Sequence, residues 1–301
     1  MEKQRTLGDM VECAGVGLHS GTRVRLRLCP AGAGEGVVFV RTDLPGRPEI
    51  PALIENVVPN ALMRQTTLAA PTDPTTCVGT VEHILAALHG FGIDNCRAEM
   101  DGPEAPIFDG SALDLAEGIA RTGAVEQDAP RRWFCLKGPV ALTEGDVELI
   151  AMPSDWSDWS DPSDPSESPG HLRLTFFVDY PGTMIGKQAL SLVVTPESFR
   201  TEIAPARTFA LKEEILPLWQ RGLIKGGSLD SALVVDGDHL YNPGATLRFE
   251  DEFVRHKLLD LLGDLYLLGR PLRAHVMAVR SGHGSHAKFV AKIREMEEAR
   301  L

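Results

Sequence analysis

The segment RHKLLDLLGDLYLLG, residues 255–269, constrains the fold most, because its apolar residues recur with the spacing of an amphipathic helix. At about 100° per residue, His256, Asp260 and Asp264 fall within one quadrant of that helix, and leucines occupy the opposite side. A His and an Asp at positions i and i+4 lie on successive turns, so that both can reach one metal ion. The alternative interpretation is an ordinary ion pair on a solvated helix face.

The overall composition of the chain excludes several classes of protein function. The chain has 301 residues, enough for one large or two ordinary domains, and 43% hydrophobic with 24% charged residues is typical of a soluble globular protein. We expect no membrane-spanning segment, because no apolar run is long enough to span a bilayer, and no signal peptide, because the opening residues MEKQRTLGDM do not resemble one. The net charge of −12 argues against nucleic-acid binding. Five cysteines without a CxxC pair argue against a disulfide framework and favour a reducing cytoplasm.

The order of predicted elements indicates two similar units. Residues 1–60 are rich in strand patterns, and helices are predicted near 80–90 and 112–121. From about residue 130, strands again precede helices. We therefore predict an α+β fold of two related domains, 1–127 and 128–301, each with helices packed on a β-sheet. The Ser-, Asp- and Pro-rich insert at 154–165 is predicted to be an exposed loop without a function.

Further candidate site residues come from three other segments. Thr80 is predicted to cap a helix running to Gly90 or Gly92, in which Glu82 could reach water on a metal bound by His83. An exposed helix start is the alternative for this pair. His283 lies between glycines in a predicted loop, where Asp264 could keep it protonated as a general acid.

The local sequence says less about two further polar residues, Thr208 and His19. Thr208 could donate its hydroxyl to a developing oxyanion. His19 is interpreted as a turn residue rather than a metal ligand.

Together these pieces resemble one family, the zinc-dependent UDP-3-O-acyl-N-acetylglucosamine deacetylases (the LpxC family). The matching motifs run in family order from Gln4 to His283. They are QRTL, GVGLHSG, RTDLPG, TVEHILAALHGFGIDN, PEAPIFDGSA, ARTFAL, RGLIKGGSLDSALVV, LRFEDEFVRHKLLDLLGDLYLLG and SGH.

The resemblance implies a metal site and a mechanism. Zn²⁺ would be bound by His83, His256 and Asp260, with a water molecule completing the site. Glu82 would be the general base, Thr208 would help to hold the oxyanion, and His283 would act as a general acid supported by Asp264. The active site would lie at the interface between the two domains.

The resemblance also implies substrate contacts. Lys257 would contact the sugar or phosphate portion, Phe209 would pack on the glucosamine ring, and Met63 would belong to the pocket. Residues 223–235, including Gly227, Ser228 and Leu229, would form a hydrophobic passage for the acyl chain.

This sequence departs from the family pattern at a few positions. Arg64 and Gln65 stand where small or apolar residues are more usual, and His286 stands where Asn is usual. We expect His283, rather than His286, to carry the chemistry.

The partners and alternatives follow from this interpretation. We expect a cytoplasmic monomer that acts on a UDP-sugar carrying a fatty acyl chain. Fe²⁺ is an alternative metal in the cell, since metal availability often decides occupancy. A zinc amidohydrolase acting on another N-acyl sugar is the alternative enzyme, and a binding protein with a closed, structural metal site is the non-catalytic alternative.

Overall fold

The computed structural model describes residues 2–59, 64–154 and 172–298 of the chain and has the expected α+β architecture. No helix within these ranges is long and apolar enough to cross a membrane. All five cysteines are free.

The N-terminal half is built on an antiparallel-rich sheet. Its elements are β1 (Lys3–Leu7), β2 (Val11–Val16), β3 (Arg23–Pro30), β4 (Val37–Arg41), β5 (Glu49–Pro51), β6 (Leu68–Ala70), β7 (Asp73–Val78), α1 (Glu82–Gly90), β8 (Cys96–Met100), α2 (Leu113–Thr122) and β9 (Ala124–Pro130). The main sheet has the order β2-β3-β8-β4-β5, while β6 pairs with β7 and β1 pairs with β9.

The C-terminal half repeats this plan. Its elements are β10 (Phe134–Cys135), β11 (Val140–Glu144), β12 (Val147–Pro153), β13 (Arg173–Tyr180), β14 (Gly186–Val193), α3 (Pro196–Ser198), β15 (Phe209–Leu211), α4 (Lys212–Gln220), β16 (Leu233–Asp236), β17 (His239–Leu240), α5 (Glu252–Leu265), β18 (Leu272–Val279) and α6 (His283–Glu298). The main sheet has the order β11-β12-β18-β13-β14, β10 pairs with β18, and β15-β16-β17 form a smaller sheet.

The two main sheets share one topology. In each, the last strand is central, antiparallel to the second strand and parallel to the third, and the outer pairs are antiparallel. This correspondence supports two related α+β modules, although the sequence shows no direct repeat. The division between residues 127 and 128 stays a prediction, and β9 runs across it.

The helices α1 and α5 meet where the two halves join. α1 contacts both α2 and α5, while α5 also packs on β13 and β14. Every residue of α1 is buried, and so are His256, Asp260 and Asp264 on the polar face of α5. The solvated-face interpretation is therefore wrong, because the polar face of α5 is covered by α1 and Thr66 from the N-terminal half and by the start of α6. A short 3₁₀ turn then leads to Gly269, whose left-handed conformation ends the helix as expected.

Several local predictions need correction. Thr80 does not cap α1: its φ is +55°, and its hydroxyl donates to Gln65 or Glu104, both within hydrogen-bond distance. The strand β14 and the helix α4 were not predicted. Of the insert at 154–165, only residue 154 lies within the described ranges.

Candidate active site

The three expected metal ligands converge between α1 and α5. His83 comes from the first turn of α1, and His256 and Asp260 from successive turns of α5. The Asp260 Oδ1 atom lies 3.3 Å from His256 Nε2 and 4.0 Å from His83 Nε2. The ligand atoms of all three residues lie within 4.8 Å of one another, and all three side chains are buried. One ion could therefore contact all three.

The protonation states of these residues suit a divalent metal. His256 Nδ1–H donates to the carbonyl of Ala206 at 3.0 Å, which leaves Nε2 free as a ligand. Burial lowers the pKa of His83 to about 3 and also lowers that of His256, so both rings are neutral near pH 7. Burial opposes ionisation of Asp260, but the adjacent Lys257 and His256 hold its pKa well below the usual range. Two imidazoles and one carboxylate form a donor set that fits Zn²⁺.

Glu82 lies beside this ligand set. Its Oε2 atom accepts a hydrogen bond from the Thr66 N–H at 3.0 Å, and its Oε1 atom lies 3.9 Å from His283 Nε2. Burial, reinforced by the negative charges of Asp264 and Asp260, raises the pKa of Glu82 to about 7. The exposed-helix-start interpretation of Glu82 and His83 is wrong, because both side chains are buried.

His283 and Asp264 form a buried pair next to Glu82. His283 Nδ1 lies 2.7 Å from Asp264 Oδ2. Burial lowers the pKa of His283, but the Asp264 carboxylate outweighs that effect and raises it to about 9. The loop prediction for His283 is wrong, since it is the first residue of α6 and the helix itself sets its position.

Three expected substrate-side residues line the same cavity. Thr208 precedes β15 and is held by a hydrogen bond from its N–H to the Gly110 carbonyl at 2.7 Å. Phe209 packs edge-to-face on Phe253, with ring centroids 5.1 Å apart. Lys257 Nζ donates to Asp260 Oδ2 at 3.0 Å; burial lowers the pKa of this amine, but Asp260 outweighs burial and raises it.

The cavity has a volume of about 450 Å³ and is lined both by the polar site residues and by apolar side chains of α4 and residues 224–234, which we call its apolar end. Gly227, Ser228 and Leu229 line it, as expected for the passage. Ile215 and Leu218 of α4 add apolar lining that was not predicted. Met63 lies outside the described residues.

Sequence reasoning missed His19 as a site residue. It occupies the expected turn, yet its ring is buried and lines the cavity. The Nδ1 atom accepts from the Ile224 N–H at 3.4 Å, and Nε2 has no hydrogen-bond partner among the described residues. The Glu104 carboxylate accepts the N–H groups of His19 and Ser20 at 2.8 and 2.6 Å, which fixes this turn. The GVGLHSG motif was the available signal.

Comparisons with known proteins agree with this geometry. The family model described as UDP-3-O-acyl N-acetylglycosamine deacetylase (LpxC) matches residues 4–295. Proteins named UDP-3-O-acyl-N-acetylglucosamine deacetylase are similar along most of their lengths. The one from Thermosynechococcus vestitus is 45% identical over 292 residues, covering 97% of this chain and 94% of the relative. The one from Myxococcus xanthus is 43% identical over 290 residues, covering 96% and 86%. This chain therefore belongs to the LpxC family of UDP-3-O-acyl-N-acetylglucosamine deacetylases.

Proposed function

We propose that this chain hydrolyses the acetamide of a UDP-3-O-acyl-N-acetylglucosamine to acetate and the free amine, a step of lipid A biosynthesis. Family membership supports a deacetylase of the amidohydrolase class. The observation that carries the proposal is the convergence of a His, His, Asp ligand set, a buried Glu82 and a charged His283 at the head of one cavity. The apolar end of that cavity suits an acyl chain.

We further propose that His83, His256 and Asp260 hold Zn²⁺, with Fe²⁺ as the alternative metal in the cell. A Zn²⁺ ion bound there would supply Lewis-acid polarisation of the acetamide carbonyl and a lowered pKa for water. An ion held by these three residues would keep a coordination position open for water, unlike a structural four-ligand site. This arrangement argues against the binding-protein alternative.

Glu82 is the general base in this mechanism. Its raised pKa lies near neutrality, so the carboxylate is basic enough to take a proton from the attacking water and weak enough to release it. The hydrogen bond from Thr66 keeps one carboxylate oxygen in place and leaves the other facing His283.

Thr208 and His283 act on the tetrahedral intermediate. The Thr208 hydroxyl donates a hydrogen bond to the developing oxyanion. His283 carries a proton at neutral pH because Asp264 stabilises the imidazolium, and it transfers that proton to the leaving amine. The C–N bond then breaks to give the free amine and acetic acid, which loses its proton to solvent as acetate. The proton that Glu82 accepted passes to His283 and restores its resting state.

The remaining residues position the substrate. Phe209 packs on the glucosamine ring, and the Lys257 ammonium contacts the sugar or phosphate portion. Residues 223–235 and α4 enclose the acyl chain. We place the enzyme in the cytoplasm as a monomer, with the UDP-sugar as its small-molecule partner.

The test compares acetate release from a UDP-3-O-acyl-N-acetylglucosamine with release from UDP-N-acetylglucosamine, which lacks the acyl chain. The proposal predicts turnover of the acylated substrate at a kcat/KM at least tenfold higher, because only that substrate fills the apolar end of the cavity. Equal turnover of both substrates would favour the alternative, an amidohydrolase for other N-acyl sugars. No turnover by the folded, zinc-loaded protein would refute the proposal.

A further inference from the structure

His286 shares the Asp264 carboxylate with His283. Its Nδ1 atom lies 2.7 Å from Asp264 Oδ2, the same oxygen that His283 Nδ1 contacts at 2.7 Å. Its Nε2 atom lies 2.9 Å from Ser281 Oγ. The ring of His286 is fully buried and does not line the cavity. His286 therefore contacts Asp264 without lining the cavity itself.

The tautomer of His286 follows from these partners. An ionised carboxylate accepts hydrogen bonds and cannot donate, so Nδ1 of each ring must carry a hydrogen. The Ser281 hydroxyl can then donate to Nε2 of a neutral His286 ring. Burial lowers the pKa of His286, which agrees with a neutral ring that donates through Nδ1 alone. His286 thus provides a hydrogen bond without adding a second positive charge beside His283.

The hydrogen bonds that Asp264 accepts from the described residues stabilise its ionised form. The Thr66 hydroxyl donates to Oδ1 at 2.6 Å, while His283 and His286 share Oδ2. A buried carboxylate and imidazolium can neutralise each other if the proton moves to the carboxylate, because burial penalises both charges. Donors on the carboxylate oppose that transfer by stabilising the negative charge.

We propose that His286 is a positioning residue that keeps Asp264 ionised and oriented, so that the catalytic proton stays on His283. The inference rests on the proposed function, in which His283 protonates the leaving amine. It assigns a role to a residue that sequence reasoning set aside in favour of His283. The three side chains of Asp264, His283 and His286 could also group around a metal ion, but two ring nitrogens at hydrogen-bond distance from one oxygen already account for their arrangement.

A matched pair of variants tests the role. In His286→Asn the amide N–H replaces Nδ1–H and keeps the bond to Asp264, whereas in His286→Gln the amide lies at the Nε2 position and keeps only Ser281. We expect H286N to retain kcat within about threefold and H286Q to lose roughly tenfold or more, with KM unchanged in both, because a lost hydrogen bond to a charged group has an effect of that size. Equal losses in both variants, or a change confined to KM, would overturn the proposal.

A spectroscopic measurement tests the same role without relying on turnover. In ¹⁵N NMR of the histidine-labelled protein at pH 7, we expect His286 to be neutral with the hydrogen on Nδ1, and His283 to be doubly protonated. In H286Q the His283 ring should shift toward the neutral form. A His286 hydrogen on Nε2, or a His283 spectrum unchanged in H286Q, would overturn the proposal. A protein that shows the expected spectra but no deacetylation would instead contradict the proposed function and leave this inference standing.

Discussion

Gly263 of α5 lies directly against the backbone of Glu82 in α1. A Cβ atom at position 263 would lie 2.1 Å from the Glu82 carbonyl oxygen and 2.9 Å from its carbonyl carbon. These contacts are with backbone and cannot be relieved by a rotamer change. The absence of a side chain at Gly263 therefore allows the two helices to approach closely enough to bring His83 to His256 and Asp260.

Replacing Gly263 with Ala should separate the helices and damage the site. Helix propensity alone would favour Ala by up to about 1 kcal/mol, but overpacking should destabilise the fold by about 1–3 kcal/mol. We expect a lower melting temperature and weaker metal binding. The control is Gly284→Ala in α6, where a Cβ meets nothing within 4 Å. Unchanged stability and metal affinity in G263A would contradict the close-approach argument.

Replacing Glu82 with Gln should remove the general base and leave the fold intact. The Gln side chain can still accept the Thr66 N–H, so packing is preserved. We expect kcat to fall by about 10²–10⁴-fold, with the metal content measured by elemental analysis unchanged. Loss of metal together with activity would show that Glu82 supports the ligands and would refute its assignment as base.

The pH dependence of the reaction should report His283. Its pKa is raised to about 9, so the acid form persists below that pH and is lost as the pH rises through it. The rate should therefore decline on the alkaline side near pH 9. Asp264→Asn removes the negative charge responsible and should move this decline to lower pH. In His283→Gln the rate should be lower and this limb absent, and an unchanged pH profile in that variant would exclude His283 from the mechanism.

The apolar end of the cavity should control acyl-chain preference. Ala232 lines the cavity, and Ala232→Phe should obstruct it. We expect kcat/KM to fall by about tenfold or more for a long-chain substrate and much less for a short-chain one, since a misfit of a few methylene groups has an effect of this order. Leu216→Ala is the control, because Leu216 is 60% exposed on α4 and does not line the cavity. Equal losses for both chain lengths would place the acyl chain elsewhere.

The close approach of His256 and Asp260 on α5 could be predicted from the sequence because a regular helix fixes the relation of the two side chains. The burial of Glu82 and His83 could not be predicted from the sequence, because it depends on α5, from a distant part of the chain, packing against α1. Family motifs compensated for this by identifying both residues together. The motif match could not, however, show that Gly263 permits the contact.

Some predictions made from the local sequence were wrong because residues distant in the chain contact the same side chain. Thr80 has a good capping side chain, but the buried carboxylate of Glu104 is within reach of its hydroxyl, and the left-handed backbone at Thr80 precludes the expected cap. The glycines around His283 suggested a loop, yet α6 begins there. The helix α4 was not predicted because it is short and contains Pro217. The role of His286 depends on Asp264, a neighbour in space that no local pattern connects to it.

The most direct test of the account is metal-dependent acetate release from a UDP-3-O-acyl-N-acetylglucosamine. The protein is assayed as purified, after chelation, and after addition of about one equivalent of Zn²⁺ per chain, with metal-loaded Glu82→Gln as the control. The account predicts that turnover disappears on chelation, returns with Zn²⁺ and stays about 10²–10⁴-fold lower in the control. Turnover that persists in the fully chelated protein would contradict the assignment of His83, His256 and Asp260 as the catalytic metal site.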